Sequence, residues 1–358
     1  TGFPLLCEAS SQLRFGLPAT APRCDAFDAL LRCPGGLLDE DVQLVVQVGT
    51  PPIASGLEQL LLTRPDLPRI VLSEHTFGDP ASTAQALLFG EVALTVSALV
   101  AALGTQPPDA ATLPSGGAAG TWAARVQQLD ELAWRVLDEQ LAAAPAELAE
   151  AAAVRATVAE LPPEAVLMVG NSLPIREVDA LCAGRRAPLG VLSQRGASGI
   201  DGLIAGAAGA ATVLGRPQVL LLGDVSALHD LSSLPLLLRA SSPVVVVVLQ
   251  NHGGRIFEQL PLARTPSAAA DPALLAHFTT PHGLHLLPAA QLYGLAYAAV
   301  HDEPALHKAL QQALAPAPAG PRAMLIEAVV PASSAAEHQR AYFAALTAAL
   351  TTYRESAS

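Results

Sequence analysis

The run Leu-Leu-Leu-Gly-Asp at 220–224, followed by Val-Val-Val-Val-Val-Leu-Gln-Asn at 244–251, sets the strongest limit on what this chain can fold into. Uninterrupted aliphatic and β-branched runs, bounded by glycine or polar residues, read as strands buried on both faces, and such strands belong to parallel sheets covered by helices. In an open parallel sheet, ligands bind beyond the carboxyl ends of the strands, so Asp224 and Asn251 should meet at one edge. Their oxygens and a backbone carbonyl from the Gly253-Gly254 turn would leave room for phosphate oxygens and a water in the octahedral oxygen shell that Mg²⁺ prefers.

Strand candidates recur along the second part of the chain at 166–169, 189–192, 219–222, 244–249, 296–300 and 323–330, separated by helical stretches. This pattern predicts an α/β domain with a parallel sheet and right-handed crossovers. The first hundred residues alternate strand-like and helical runs, at 42–48, 56–62, 69–72 and 83–89, which predicts a smaller doubly wound sheet. Between them the composition turns to Pro, Gly, Thr, Ser and Ala, the mark of a linker over 104–121. The expected organisation is therefore two doubly wound parallel-sheet domains, 1–103 and 122–358. Residues 122–161 should be helical with a break near Pro145, and 334–353 should form an amphipathic surface helix.

With 358 residues, 51% of them hydrophobic and 15% charged, the chain can bury a large core. A formal charge of −12 argues against a nucleic-acid or anionic-membrane surface, which needs clustered Lys and Arg. No run is long and apolar enough to read as a membrane span. Cys7, Cys24, Cys33 and Cys182 fit no metal or redox spacing and read as reduced thiols, which suggests a cytoplasmic setting. The chain begins at Thr1 rather than Met, as expected of a fragment or processed product.

Four clusters at strand ends carry the chemistry. Asn171 and Ser172 open a Pro-containing helix turn, an ordinary capping arrangement, but Arg176 one turn on could hold a carboxylate through two parallel hydrogen bonds. Arg195 precedes a loop, Gly196-Ala-Ser198-Gly199-Ile200-Asp-Gly202, whose glycines let backbone N–H groups approach an anion. Two arginines at neighbouring strand ends suggest a dianionic substrate. Gly223, Asp224 and Ser226 form the turn into a helix whose amino end can face a diphosphate. After Asn251 and Gly253, the residues Ile256, Phe257 and Leu260 present an apolar wall. His229 and His252 have no ligand partner at metal-binding spacing and read as polar lining.

Taken together, Gly-Asn-Ser-Leu-Pro-Ile-Arg (170–176), Arg-Gly-Ala-Ser-Gly-Ile-Asp-Gly (195–202), Gly-Asp-Val-Ser-Ala-Leu-His-Asp-Leu (223–231) and Asn-His-Gly-Gly-Arg-Ile-Phe (251–257) resemble the MenD family of menaquinone-pathway synthases. The openings Gly-Phe-Pro-Leu-Leu (2–6) and 10–16 resemble part of that family's middle domain. The resemblance implies the thiamine-diphosphate-binding fold, with 1–103 a middle domain and 122–358 the diphosphate-binding domain. It implies decarboxylation of 2-oxoglutarate on thiamine diphosphate and transfer of the succinyl carbanion to isochorismate. Carried over residue by residue, Asp224, Asn251 and the Gly253 carbonyl would bind Mg²⁺ or Mn²⁺. Ser198, Gly199, Gly223 and Ser226 would surround the cofactor, and Ile200 would prop it into its bent form. Asn171, Ser172, Arg176 and Arg195 would hold substrate, with Ile256, Phe257 and Leu260 packed around it.

The chain departs from that pattern in several places. The family's pyrimidine-binding domain, which supplies the activating Glu, is missing from this sequence, so no catalytic residue is assigned here and the chain alone is expected to be inactive. Its complement would be such a domain in cis or in trans, and a homo-oligomer is expected. The apolar residues that domain would cover, Ile200, Ile256, Phe257 and Leu260, should form an exposed patch or be buried by another copy. After Gly49-Thr-Pro-Pro, where the family places a Lys, stand Ala54, Ser55 and Gly56. Val225 departs from the wider Gly-Asp-Gly motif, and Gln250 replaces the first Asn of the usual pair. Two alternatives fit the same residues: a non-catalytic subunit that binds a partner chain, and another thiamine enzyme such as an acetolactate synthase or 2-oxo acid decarboxylase.

Overall fold

Continuous apolar strands punctuated by glycine turns do fold here into parallel sheets flanked by helices. The computed structural model describes residues 3–17, 21–40, 42–105, 118–143, 147–185, 187–267, 271–315 and 322–357. They fall into two compact units, one drawn from Thr1–Leu6, Thr20–Val136 and Ala345–Ser358, the other from Cys7–Ala19 and Leu137–Ala344. Most of the expected linker at 104–121 lies outside the described residues; 104–105 close the helix Val92–Thr105 and 118–121 open the helix Ala118–Ala142. The break expected near Pro145 separates that helix from Glu150–Ala159, and Pro145 itself lies outside the described residues.

The first unit carries a parallel sheet of β1 (Val45–Val48), β2 (Arg69–Ser73) and β3 (Ala86–Phe89), in that order. The alternation of patterns makes 83–89 a helix, and the structure corrects this. Ala-Leu-Leu has helical propensity, but pairing with β2, from Ile70 against Ala86 to Ser73 against Phe89, outweighs a weak local preference. The sheet is tied internally by the buried Arg69, which donates to Gln47 Oε1 at 2.9 Å and pairs with the buried Asp79.

The second unit contains all of the strands read from its sequence, each within a residue or two. They are β4 (Val166–Val169), β5 (Gly190–Ser193), β6 (Gln218–Gly223), β7 (Val244–Gln250), β8 (Ala296–Val300) and β9 (Ala323–Val329). The six strands are parallel throughout, in the order β5-β4-β6-β7-β9-β8. From β4 the chain moves outward to β5, then returns to place β6 on the other side of β4. Strand order therefore reverses between β4 and β6, and crossovers of one hand put the helices after these two strands on opposite faces, opening a crevice at their carboxyl ends.

Alternate residues of each strand feed opposite faces. Leu220, Leu222, Val244, Val246 and Val248 join the helix Leu203–Leu214 through Ile204 and Ala207 in one core layer. The helix Glu150–Ala159 packs against both Leu173–Leu181 and Glu303–Ala313 on the other side, where Val154, Ile175, Val178 and Leu310 are almost wholly buried. The last helix runs Ser334–Ala357 and is amphipathic as expected, burying Tyr342, Leu346 and Leu350 along one stripe. All four cysteines are buried thiols. Among the described residues no helix is long and apolar enough to cross a membrane.

Gly170, where β4 ends, has no room for a side chain: an added Cβ would stand 2.9 Å from Leu222 Cβ and 3.1 Å from Leu222 Cα. Overpacking of this kind typically costs about 1–3 kcal/mol. Gly170→Ala is therefore expected to lower the unfolding free energy by about that amount in urea melts, and an unchanged midpoint and slope would contradict the packing described.

Candidate functional site

The expected site residues lie in the loops that leave β4, β5, β6 and β7 at one edge of the second sheet, and hydrogen bonds join these loops. Asn171, after β4, is buried; its Nδ2 donates to Gln194 O at 3.1 Å and Gly199 O at 2.7 Å, and its Oδ1 accepts from Arg195 Nη1 at 2.7 Å. One asparagine thus fixes the glycine-rich loop and aims its arginine. Arg176 donates to Ser172 O at 2.7 Å and is half-buried, so both arginines sit at neighbouring strand ends as the motifs implied. Ser198 is exposed, Gly199 and Ile200 are half-buried, and all lie on the loop between β5 and the helix Leu203–Leu214.

Asp224 opens the helix that follows β6 and is 1% exposed. Its Oδ1 accepts from the Val225 N–H at 2.6 Å and its Oδ2 from the Gly253 N–H at 3.0 Å, which joins the β6 loop to the β7 loop. Burial raises its pKa, against which Gly253, His282, Val225 and the His252 backbone pull down. The ring Nε2 of His282 lies 3.2 Å from Oδ2. A carboxylate has about four acceptor positions, so His282 competes with any cation for this one.

Asn251 is buried, with Nδ2 donating to both oxygens of Glu150, at 3.1 and 3.0 Å. Its Oδ1 is buried and has no hydrogen-bond partner among the described residues. A buried acceptor left unmade is costly and uncommon, and it is the atom expected to ligate a cation. Gly253 has φ +143°, and a Cβ there would meet Thr279 O at 2.4 Å, so only glycine fits. Its carbonyl accepts from the Arg255 N–H at 2.9 Å and keeps a second lone pair. Beside Gly223 the space is open, with nothing within 4 Å of where a Cβ would stand.

Backbone strain gathers at this edge. Among the described non-glycine residues with positive φ, Ser172, Ser198 and His252 lie in the site loops, and Thr280 follows the residue against which Gly254 bonds. Strained dihedrals persist where the surroundings hold them, and they concentrate at ligand sites. Arg255 supplies part of that hold, donating to Asn251 O at 2.9 Å and His252 O at 3.0 Å while pairing with Glu258 at 2.8 Å.

Ile256 and Phe257 are half-buried and Leu260 is 43% exposed, an apolar wall open on one side. His252 lines the site beside His282 and His285, but His229, read as lining, is exposed, because it closes the short helix after Asp224. Asp230 of the same motif plays a structural part, accepting from the Ile204 and Ala205 N–H groups and so capping the helix Leu203–Leu214. Among the described residues no three His, Cys, Asp or Glu side chains are placed to hold a metal by themselves. A cation here would need the Asn251 amide, a backbone carbonyl and the ligand's own oxygens, a donor set that suits Mg²⁺ or Mn²⁺.

Sequence reasoning missed Glu150, Glu177 and His282. The first two form a buried carboxyl pair beneath Asn251. Burial pushes Glu150 up to about 7, helped by Asp224 and opposed by Asn251, Glu177 and Arg255, while burial and the charge of Glu150 hold Glu177 well above the carboxylate range. A raised folded-state pKa means the native protein keeps protons that the unfolded chain releases, so this contribution is present below about pH 4.5 and is lost as pH rises through about 7. Glu177→Gln, which donates permanently to Glu150, is expected to flatten the fall in melting temperature between roughly pH 5 and 8 in cation-free buffer. Parallel pH profiles for variant and wild type would contradict it.

Residues 180–328 match the thiamine pyrophosphate enzyme C-terminal TPP-binding domain. The chain is similar to the 2-succinyl-5-enolpyruvyl-6-hydroxy-3-cyclohexene-1-carboxylate synthase of Sorangium cellulosum, 40% identical over 92% of this chain and 52% of that protein. The synthase of the same name from Rubrobacter xylanophilus is 35% identical over 88% of this chain and 51% of its own length. The chain thus spans about half the length of the curated relatives it matches. A benzoylformate decarboxylase from Polynucleobacter necessarius shares the fold, with a TM-score of 0.53 at 16% identity, over 81% of this chain and 49% of that one.

Proposed function

We propose that this chain, a relative of the 2-succinyl-5-enolpyruvyl-6-hydroxy-3-cyclohexene-1-carboxylate synthases, provides the diphosphate-binding side of a thiamine-diphosphate enzyme of that kind. The reaction proposed is decarboxylation of 2-oxoglutarate and addition of the succinyl unit to isochorismate, a step toward menaquinone. One observation carries the reading: a buried carboxylate, a buried amide oxygen without a partner among the described residues and an open space beside Gly223 converge at the carboxyl ends of β6 and β7, next to the point where strand order reverses.

Asp224, Asn251 Oδ1 and the Gly253 carbonyl would hold Mg²⁺ or Mn²⁺ and through it the diphosphate, with Ser198, Gly199, Gly223 and Ser226 around it. When bound, thiamine diphosphate supplies the electron sink that decarboxylation of a 2-oxo acid requires. Ile200 would press on the cofactor as an apolar prop. Arg176 and Arg195 bring two positive charges to substrates that carry carboxylates, and Asn171 holds Arg195 in place. Ile256, Phe257 and Leu260 would exclude water once covered, which strengthens those charge interactions. A pyrimidine-binding domain, in cis or in trans, would complete the site and cover this wall, and a homo-oligomer would follow from that arrangement. A second reading, a non-catalytic subunit, is favoured by Ala54-Ser55-Gly56 standing where the family has a basic residue.

The test is a coupled assay with 2-oxoglutarate and isochorismate, run with and without an added pyrimidine-binding domain. Turnover is expected only with the domain. In that mixture Arg176→Ala or Arg195→Ala should each raise KM roughly tenfold or more, the loss of a charge-assisted hydrogen bond worth about 1.5–3 kcal/mol, with little change in melting temperature. Absence of turnover with every domain supplied would favour the non-catalytic subunit.

A further inference from the structure

An asparagine that ligates a cation must present its oxygen, yet the two ends of its amide have the same size and shape. Something has to decide which end faces the site. At Asn251 the amide nitrogen meets both oxygens of Glu150, at 3.1 and 3.0 Å, and the oxygen is left buried with no partner among the described residues. Both Glu150 oxygens act here as acceptors of the amide N–H groups. Turning the amide over would set Asn251 Oδ1 against two carboxylate oxygens and offer an N–H to the cation, which is unfavourable at both ends.

We propose that Glu150 is a positioning residue for the cation site, holding the Asn251 amide so that Oδ1 is the end offered to the metal. This rests on the reading of Asp224 and Asn251 as cation ligands. Glu150 is itself held in place: it stands in the first turn of the helix Glu150–Ala159, where the helix dipole favours negative charge, and its N–H donates to Ser334 Oγ at 3.3 Å. It is fully buried, and its other neighbour is the carboxyl of Glu177, which shares a hydrogen bond with it. As a device for stability alone, two buried carboxyl groups are a poor choice, because apolar side chains of similar volume would fill the space without the desolvation cost. The cost is understandable if the pair serves the amide above it.

The test measures Mn²⁺ affinity of the 358-residue chain in saturating thiamine diphosphate, from the electron paramagnetic resonance signal of free Mn²⁺, with a thermal melt of each protein. Asp224→Ala should bind at least tenfold more weakly than wild type. Glu150→Met should also lose tenfold or more, because the amide is no longer oriented. The decisive arm is Glu150→Met combined with Asn251→Asp: a carboxylate offers oxygen whichever way it turns, so affinity should return to within threefold of wild type. Glu150→Gln, which keeps one acceptor, should stay within threefold.

Wild-type affinity in Glu150→Met, with Asp224→Ala impaired, would overturn the positioning role and leave the cation site standing. Failure of the double variant to recover, or a tenfold loss in Glu150→Gln, would overturn it as well. No Mn²⁺ binding by the wild-type chain would overturn the site and this inference together. If Glu150→Met does not fold, Glu150→Ala takes its place, alone and combined with Asn251→Asp, with the same limits, because Glu150→Gln by itself keeps an acceptor.

Discussion

The hydrogen bond from the Gly253 N–H to Asp224 Oδ2, 3.0 Å long, is the interaction on which the arrangement of the site depends. It joins the loops leaving β6 and β7, and it can form only because those strands are parallel neighbours in register, Gly223 beside Leu249. Gly253 reaches the carboxylate with φ +143°, a conformation side chains rarely allow, and its Cβ position is filled by Thr279 O. Asn251 precedes it by two residues and turns down toward Glu150. The sheet thus brings a carboxylate and an amide together, and the glycine turn sets their separation.

Negative charge in this crevice is held chiefly by uncharged donors, with the His282 ring beside Asp224. Asp224 accepts from the Val225 and Gly253 N–H groups, and Glu150 accepts from the Asn251 amide with the Glu177 carboxyl beside it. Such a surface tolerates negative charge without cancelling it, which leaves the site attractive to a cation. On the other side of β4 Arg195 is half-buried and held by an uncharged asparagine rather than by an acid. Fixed donors aimed at an anion from neutral supports keep their full charge for the ligand.

Much of this is legible in the sequence, and what is not has two causes. The strands of the second unit announce themselves because each is a continuous apolar run closed by glycine or a polar residue. The residues at their carboxyl ends follow directly from the topology rule. β3 escapes such a reading because Ala-Leu-Leu-Phe is too short to show a period, and only its pairing with β2 makes it a strand. Glu150 is invisible for a different reason. It lies 101 residues before its partner Asn251, in an Ala-rich helix whose composition carries no functional signal, and no local pattern reports a contact at that separation. His282 and Glu177 share that difficulty. Sequence reveals the loops that carry a site; the groups that support it come from elements distant in the chain, Glu150 and Glu177 from helices and His282 from a loop.

The most direct measurement is the anomalous diffraction of Mn²⁺ in crystals of the chain grown with thiamine diphosphate. A single peak at the carboxyl ends of β6 and β7, within coordinating distance of Asp224, Asn251 Oδ1 and the Gly253 carbonyl, with His282 displaced from the carboxylate, is the expected result. A cofactor bound with no peak there, or a peak ligated by His252, His282 and His285 with Asn251 Oδ1 uninvolved, would contradict it.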